Sequence, residues 1–551
     1  MKATNNSPTI DTFPTSIGQK RCWFMEQMHP GNKGLNLAIR WELRGPVKSE
    51  LVDAALRKII ARHEILRTVF IDHDGEPMQE VVEKSDFKLD FVDVQTLNAA
   101  DQAERIAAIA IEHAEQPFDM GKPNLLRVTM VRTAAQRAEL LIAVHNSIFD
   151  GFSIGVLGHE LGLHLDAMLA NKEPDLPELV LQYGDYAQWL EDYEKSGALK
   201  AEEAYWSETL HEMPYYELPM DRPRAAQTPV AAVCATSFPA DFEQKLSEVA
   251  KKLGTSVFAL GTAAFSVALG RFSDRENVSF AVQAAGRLDT DLEPLIGIFT
   301  NPLVMRFDMN NDASLQDHAT LARDVVNGAL AHQTLPFDKV VQVLNPPRDP
   351  LRIPLVSIMF NLQKAFLKER EYGEVELGSI QSHSPATLYD LNVHIIGRNS
   401  GWGMVIDYNA NLFDAETIRS FSDLLLEIFT KIVAEPETLI SDIPVRAKVA
   451  QQQAQPVAER QAPAPSFAGI ETLRTIWADV LALPPDQIKG SFFDLGGHSV
   501  LALRMLAQVG TAFDERPSLY AFLGDPTLEG LAALLGEPQT APAAAPEVAP
   551  Q

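Results

Sequence analysis

Over residues 1–446 the apolar positions alternate between helical and strand-like spacing. At 49–62, Leu51, Leu56, Ile59 and Ile60 recur at helical intervals, and Ser49 can cap that helix. Residues 140–144 are continuously apolar, as a buried strand is, and 152–169 return to helical spacing. Residues 255–272 predict a second apolar helix, while 278–282 and 355–362 read as strands. No internal repeat of roughly 20–50 residues is present. This alternation predicts an α/β (α+β) core in two lobes. Around 451–465 periodicity stops in a Gln/Ala/Pro-rich stretch that reads as a linker. Beyond it, 470–483 predicts a helix with Leu473, Ile476, Trp477 and Val480 on one face. A second helix follows Ser499, carrying Val500, Leu503, Met505, Leu506 and Val509, and a third spans 526–535. The expected division is 1–446 for the core (lobes about 1–178 and about 179–446), 447–466 for the linker, 467–537 for a small helical bundle, and 538–551 for a disordered Ala/Pro tail.

Composition narrows the function classes. The 551 residues carry a formal charge of −27, which argues against nucleic acid and anionic membrane as partners. Only Cys22 and Cys234 are present, so a disulfide framework is excluded, and Cys22 beside Trp23 and Phe24 reads as a buried structural thiol. No run reaches the length of a membrane span, and residues 1–20 lack the apolar segment of a secretory signal. The expected location is therefore cytoplasmic.

Two strings concentrate the chemistry. The first is Phe492-Phe493-Asp494-Leu495-Gly496-Gly497-His498-Ser499, which puts a hydroxyl at a helix N-terminus behind two glycines. Unpaired N–H groups and the helix dipole favour an anion there, so a phosphodiester on Ser499 would be well placed. A plain N-capping serine is the simpler use of such a residue. The second is His145-Asn146-Ser147-Ile148-Phe149-Asp150-Gly151, between the strand at 140–144 and the helix at 152–169.

The first string resembles the phosphopantetheine attachment motif of peptidyl carrier proteins, in which this serine carries the arm. The second resembles the central motif of nonribosomal peptide synthetase condensation domains: two histidines, three variable residues, then Asp-Gly. Further family motifs occur in order. They are Ser16-Ile17-Gly18-Gln19-Lys20-Arg21 with Trp23, then Arg62-His63-Glu64-Ile65-Leu66-Arg67-Thr68-Val69-Phe70, then Tyr183-Gly184-Asp185-Tyr186-Ala187-Gln188-Trp189. Ile296-Gly297-Ile298-Phe299-Thr300-Asn301 with Arg306, His332-Gln333-Thr334-Leu335-Pro336-Phe337-Asp338, and a weaker Arg348-Asp349 with Pro354-Leu355 complete the set.

The resemblance implies two chloramphenicol-acetyltransferase-like lobes with the motif loop in a tunnel between them. It also implies amide formation between a thioester-bound acyl or peptidyl donor and an amine acceptor held on Ser499 through 4′-phosphopantetheine. Implied partners are a phosphopantetheinyl transferase, an adenylation domain acting in trans, and an upstream donor carrier or acyl thioester. His145 corresponds to the family's packed first histidine. Asp150 is implied to be structural, through an arginine, with Arg67 and Arg306 as candidate partners, and Gly151 lets the backbone turn. Arg62 belongs to the same structural motif set.

The chain departs from the family at Asn146, where the histidine usually assigned to catalysis stands. An amide cannot act as a general base near neutral pH. Two readings stay open. A thioester is already activated and an α-amine has a pKa near ~8, so positioning can sustain amide formation while a hydroxyl acceptor is disfavoured. Alternatively, the fold is an inactive platform that recruits partner enzymes to the carrier. A third option is acyl transfer from the carrier to a free small-molecule amine. Ser147 lacks a nucleophile-elbow context. His159 and His164 are five apart, not the metal-binding i,i+4 pair, so no metal is expected.

Overall fold

The computed structural model describes residues 8–446 and 469–536, except 74, 225–229, 348, 350, 368, 369, 381, 383–385, 399, 400, 496, 498 and 516. The expected linker at 447–466 and tail at 538–551 lie outside the described residues. The chain divides into two compact units, a large one holding most of residues 8–446 and a small one holding 469–536.

The large unit has two lobes, each built on a six-stranded sheet. The first-lobe sheet runs, edge to edge, Arg370–Tyr372, Val375–Ile380, Asn36–Arg44, Arg137–His145, Leu126–Ala134 and Asp90–Asp93. Only the last pairing is parallel. Helix Ala99–Glu115 lays Ile106 and Ile109 against Val131 and Leu141 of this sheet. The second-lobe sheet runs Asn301–Asp308, Asn277–Ala284, Ile358–Lys364, Leu391–Arg398, Gly401–Asn409 and Ala231–Ser237. Helix Val257–Ser273 is buried along most of its length against it, its Phe265 ring stacked on Phe360 at 4.5 Å.

The lobes are not two consecutive stretches of chain. Val375–Ile380 comes from the later half yet pairs with Asn36–Arg44 of the first lobe, Leu377 opposite Leu43. The simple division near residue 178 therefore misses a strand that crosses back. That crossing lies along helix Gly151–Leu169, where a Cβ on Gly151 would come within 2.5 Å of the Phe366 ring. On Gly158 it would come within 2.4 Å of Leu367, and on Gly162 within 2.4 Å of the Tyr372 ring.

The predicted elements are present with local adjustments. The helix expected at 49–62 is Ser49–Arg62, but Lys48 occupies the N-cap position without a side-chain bond, so Ser49 is not the cap. The helix expected at 255–272 starts at Val257, capped by Ser256, whose Oγ accepts from Ala259 N–H at 3.0 Å. The strand expected from 355 starts at Ile358. Leu355 has a φ of +67° and Val356 N–H closes a tight turn on the Pro354 carbonyl, so the chain is not yet extended there.

The small unit is helical: Ile470–Leu481, Ser499–Phe513, Leu519–Gly524 and Leu528–Gly536. Leu473, Ile476, Trp477 and Val480 are all buried, as their spacing requires. Trp477 meets Phe492 edge-on at 5.0 Å, and Phe522 closes the aromatic cluster. The short helix Leu519–Gly524 was not evident from periodicity, because six residues are under two helical turns.

Candidate functional site

Strand Arg137–His145 delivers its last residue into the single turn Asn146–Ile148, and helix Gly151–Leu169 begins directly after Asp150. Asp150 caps that helix: its Oδ1 accepts from Ser153 N–H at 2.9 Å. Its Oδ2 accepts from Arg287 Nη1 at 2.8 Å and from Phe299 N–H at 3.0 Å. The two charged side chains are only 1% and 4% exposed. Arg287 also donates to the Leu295 carbonyl at 3.1 Å and lies 4.2 Å above the Phe299 ring.

The ionic partner of Asp150 is thus Arg287, not Arg67 or Arg306. Arg67 donates to the Val82 carbonyl at 2.6 Å and pairs with Glu64. Arg306 is held by the His211 carbonyl at 2.9 Å and by Asp308 at 3.6 Å. The signal available in sequence was a Gly-Arg pair, Gly286-Arg287, just beyond the strand at 278–282.

Further hydrogen bonds join the motifs. Tyr183 Oη donates to the Ile298 carbonyl at 2.7 Å and lies 2.8 Å from Ser16 Oγ. Ser153 Oγ accepts from Gly297 N–H at 3.0 Å. Asn301 Nδ2 donates to the Leu335 carbonyl at 2.8 Å. Arg62 Nε lies 3.0 Å from Glu160 Oε1, and Gln182 Nε2 donates to the Arg62 carbonyl at 3.1 Å. Burial alone would push the Glu160 carboxyl up, yet His63 and Arg62 hold it below the ordinary range.

His145 is buried. Ser147 N–H donates to its Nδ1 at 3.3 Å, and Ser147 Oγ lies 2.7 Å from the same nitrogen. An Nδ1 that accepts from a backbone N–H leaves the ring proton on Nε2. Burial, with Arg127 adding to it, brings the ring down to about 4, so the imidazole is neutral at pH 7. Its Nε2 has no hydrogen-bond partner among the described residues. Ser147 has an imidazole neighbour in His145, and its own side chain is fully buried. Asn146 differs from both: it is half-buried, and its carboxamide makes no hydrogen bond among the described residues. His159 Nδ1 lies 3.2 Å from Tyr372 Oη. No group of three metal-ligating side chains occurs among the described residues.

In the small unit, Ser499 is the first residue of helix Ser499–Phe513. The preceding turn is anchored by buried Phe492 and Phe493. Gly497 N–H donates to the Phe492 carbonyl at 3.0 Å, and a Cβ on Gly497 would sit 2.3 Å from the Phe492 ring. Only glycine fits that approach. Gly496 and His498 lie outside the described residues. A turn closed this tightly onto a helix N-terminus fits a phosphodiester-linked group at Ser499.

A family model described as "Condensation domain" matches residues 9–454. The chain belongs to the condensation domain family. A second family model, "Phosphopantetheine attachment site", matches residues 471–535, so this condensation domain is followed by a carrier domain, which bears 4′-phosphopantetheine covalently on a serine. The chain is 31% identical over 450 residues to a linear gramicidin synthase protein of Brevibacillus parabrevis, covering 81% of this chain and 6% of that protein. It is 30% identical over 442 residues to the phosphinothricin tripeptide synthetase PhsC of Streptomyces viridochromogenes, covering 78% and 40% respectively. The chain therefore spans less than half the length of either synthetase. Among solved structures, the X-domain in complex with OxyB from teicoplanin biosynthesis superposes with a TM-score of 0.68 at 24% identity. That match covers 81% of this chain and 99% of that one, and it establishes the fold. Among the described residues no single helix is long and apolar enough to cross a membrane.

Proposed function

We propose that this condensation–carrier pair forms an amide between a thioester-bound acyl or peptidyl donor and an aminoacyl group tethered at Ser499. Phosphopantetheine supplies the thiol that holds each acyl group as a thioester. The acceptor nitrogen attacks the donor carbonyl, the C–N bond forms and the C–S bond breaks. The proton lost by the amine ends on the departing sulfur. The observation that carries this reading is the free Asn146 carboxamide in an otherwise fully braced motif turn.

Asn146 can orient the amine through Oδ1 or donate from Nδ2 toward the developing oxyanion. It cannot remove a proton, which favours amines over hydroxyls as acceptors. His145, neutral and buried, supports the turn and stays out of the proton transfer. Asp150 and Gly151 act through the backbone: Asp150 ties the helix start to Arg287 and Phe299, and Gly151 admits Phe366. The adenylation step, the transferase that modifies Ser499 and the donor carrier are supplied by partners.

A second reading rests on the same residue. A non-titrating Asn146 also suits a recruiting platform, and the X-domain relative was solved in complex with OxyB. Transfer assays on wild type, Asn146→Ala and Asn146→His separate the two. An enzyme loses rate in the alanine variant and gains in the histidine variant, up to the ~10²–10⁴-fold typical of a general base. A platform transfers nothing in all three.

A further inference from the structure

From Leu140 to Ser153 the chain forms a strand end, the motif turn and a helix start. Only two side chains in that stretch are not buried: Asn146, which is half-buried, and Phe152, which is 40% exposed. The amide is the group left to the reaction; the ring has no part in it. A single exposed phenylalanine is ordinary on a protein surface. This one is the second residue of helix Gly151–Leu169, and a second ring lies against it.

That ring is Phe366, itself half-buried. Its centroid lies 4.8 Å from that of Phe152, with the two planes 56° apart. Two glycines of the helix admit it. A Cβ on Gly151 would come within 2.5 Å of the Phe366 ring, and one on Gly155 within 2.9 Å of its carbonyl oxygen. The residues on either side hold Phe366 in place. Ala365 N–H donates to the Gly397 carbonyl at 2.8 Å in the second lobe, and buried Leu367 lies against Gly158 in the first. Arg287 lies 5.5 Å from the centre of the Phe152 ring, and its ion pair with Asp150 ties that ring to the motif turn.

Two rings set at a tilt leave an edge and a face open to a third, since aromatic groups favour tilted and edge-to-face contacts. Covering them removes apolar surface from water. No new charge is desolvated, because Arg287 is already paired and only 4% exposed. We propose that Phe152 and Phe366 select the side chain of a reacting acyl group, favouring an aromatic one over a small aliphatic one. The inference rests on the amide-forming reading above. The donor acyl group and the aminoacyl group at Ser499 can each carry an aryl side chain, so the test has one arm for each.

Two thioesters of N-acetylcysteamine serve as probes on the full-length protein: 4-fluorophenylacetyl for the donor and 4-fluorophenylalanyl for the acceptor. Their fluorine signals report binding. The expected result is a saturable shift with at least one probe, which names the source, weakened roughly tenfold or more in Phe152→Ala and less in Phe152→Leu. No saturable shift with either probe, or equal affinity in wild type and Phe152→Ala, overturns the proposal. Transfer competition then sets phenylacetyl against acetyl donors, and phenylalanyl against alanyl groups at Ser499. A loosened turn lowers both members of a pair alike, whereas lost selection lowers their ratio. Binding with no transfer of any donor would sink the amide-forming reading and leave the aryl site standing. Transfer with the same aryl-to-small ratio in wild type and Phe152→Ala would do the reverse.

Discussion

Four donors converge on Asp150: the Ser153 and Phe299 amides, the Ser153 hydroxyl and the Arg287 guanidinium. The carboxylate is buried, so its stability depends on all of them. Removing one partner of a buried ion pair strands the other charge and costs about 3–5 kcal/mol. Arg287→Met should therefore lower the unfolding midpoint sharply, and adding Asp150→Asn should recover part of the loss. Equal midpoints for wild type and Arg287→Met in denaturant titrations would contradict this account of the turn. The pair was hidden from sequence reasoning because its members are 137 residues apart and share no local pattern. Asn146, by contrast, was legible at once, because the motif around it specifies what the position should hold.

Helix Gly151–Leu169 shows how an element can be readable while its partner is not. Apolar spacing placed the helix within one residue of its observed start. Nothing in that spacing revealed that Gly151, Gly155, Gly158 and Gly162 make a track for chain arriving from residues 366–372. Gly155 is the sharpest point: a Cβ there would lie 2.9 Å from the Phe366 carbonyl oxygen, a backbone atom that cannot rotate away. In an isolated helix Gly→Ala gains up to about 1 kcal/mol. Here the overpacking cost of about 1–3 kcal/mol should win. Gly155→Ala is expected to lower stability, whereas a surface Gly→Ala in a helix would raise it; calorimetry decides the sign. The late strand start at Ile358 goes with the positive φ of Leu355, which apolar patterning does not encode, whereas at Ser49 the helix simply begins one residue early, with Lys48 extended in the cap position.

At the scale of the molecule, the strand Val375–Ile380 ties the two lobes into one folding unit, so acid should act on both together. His145, His318 and His394 are each brought down to about 4 by burial. Each takes up a proton on unfolding as pH falls below the ordinary histidine value of ~6.5. Asp407, raised to about 6, works the other way, holding a proton in the folded state that it releases on unfolding. Among these four groups uptake outweighs release, and His29, His113, His159 and His164, also lowered by burial, act in the same sense, so stability should fall between pH 6 and pH 4. Equal or greater resistance to urea at pH 5 than at pH 7.5 would refute it.

The proposed function depends on two domains acting on one substrate, and the mass of the carrier domain reads that directly. The protein is phosphopantetheinylated, its Ser499-linked arm charged with an amino acid, and an acyl-carrier donor added. The account expects the carrier mass to rise by the donor acyl group. A carrier that charges fully yet gains no acyl mass from any of several donors and acceptors would contradict it.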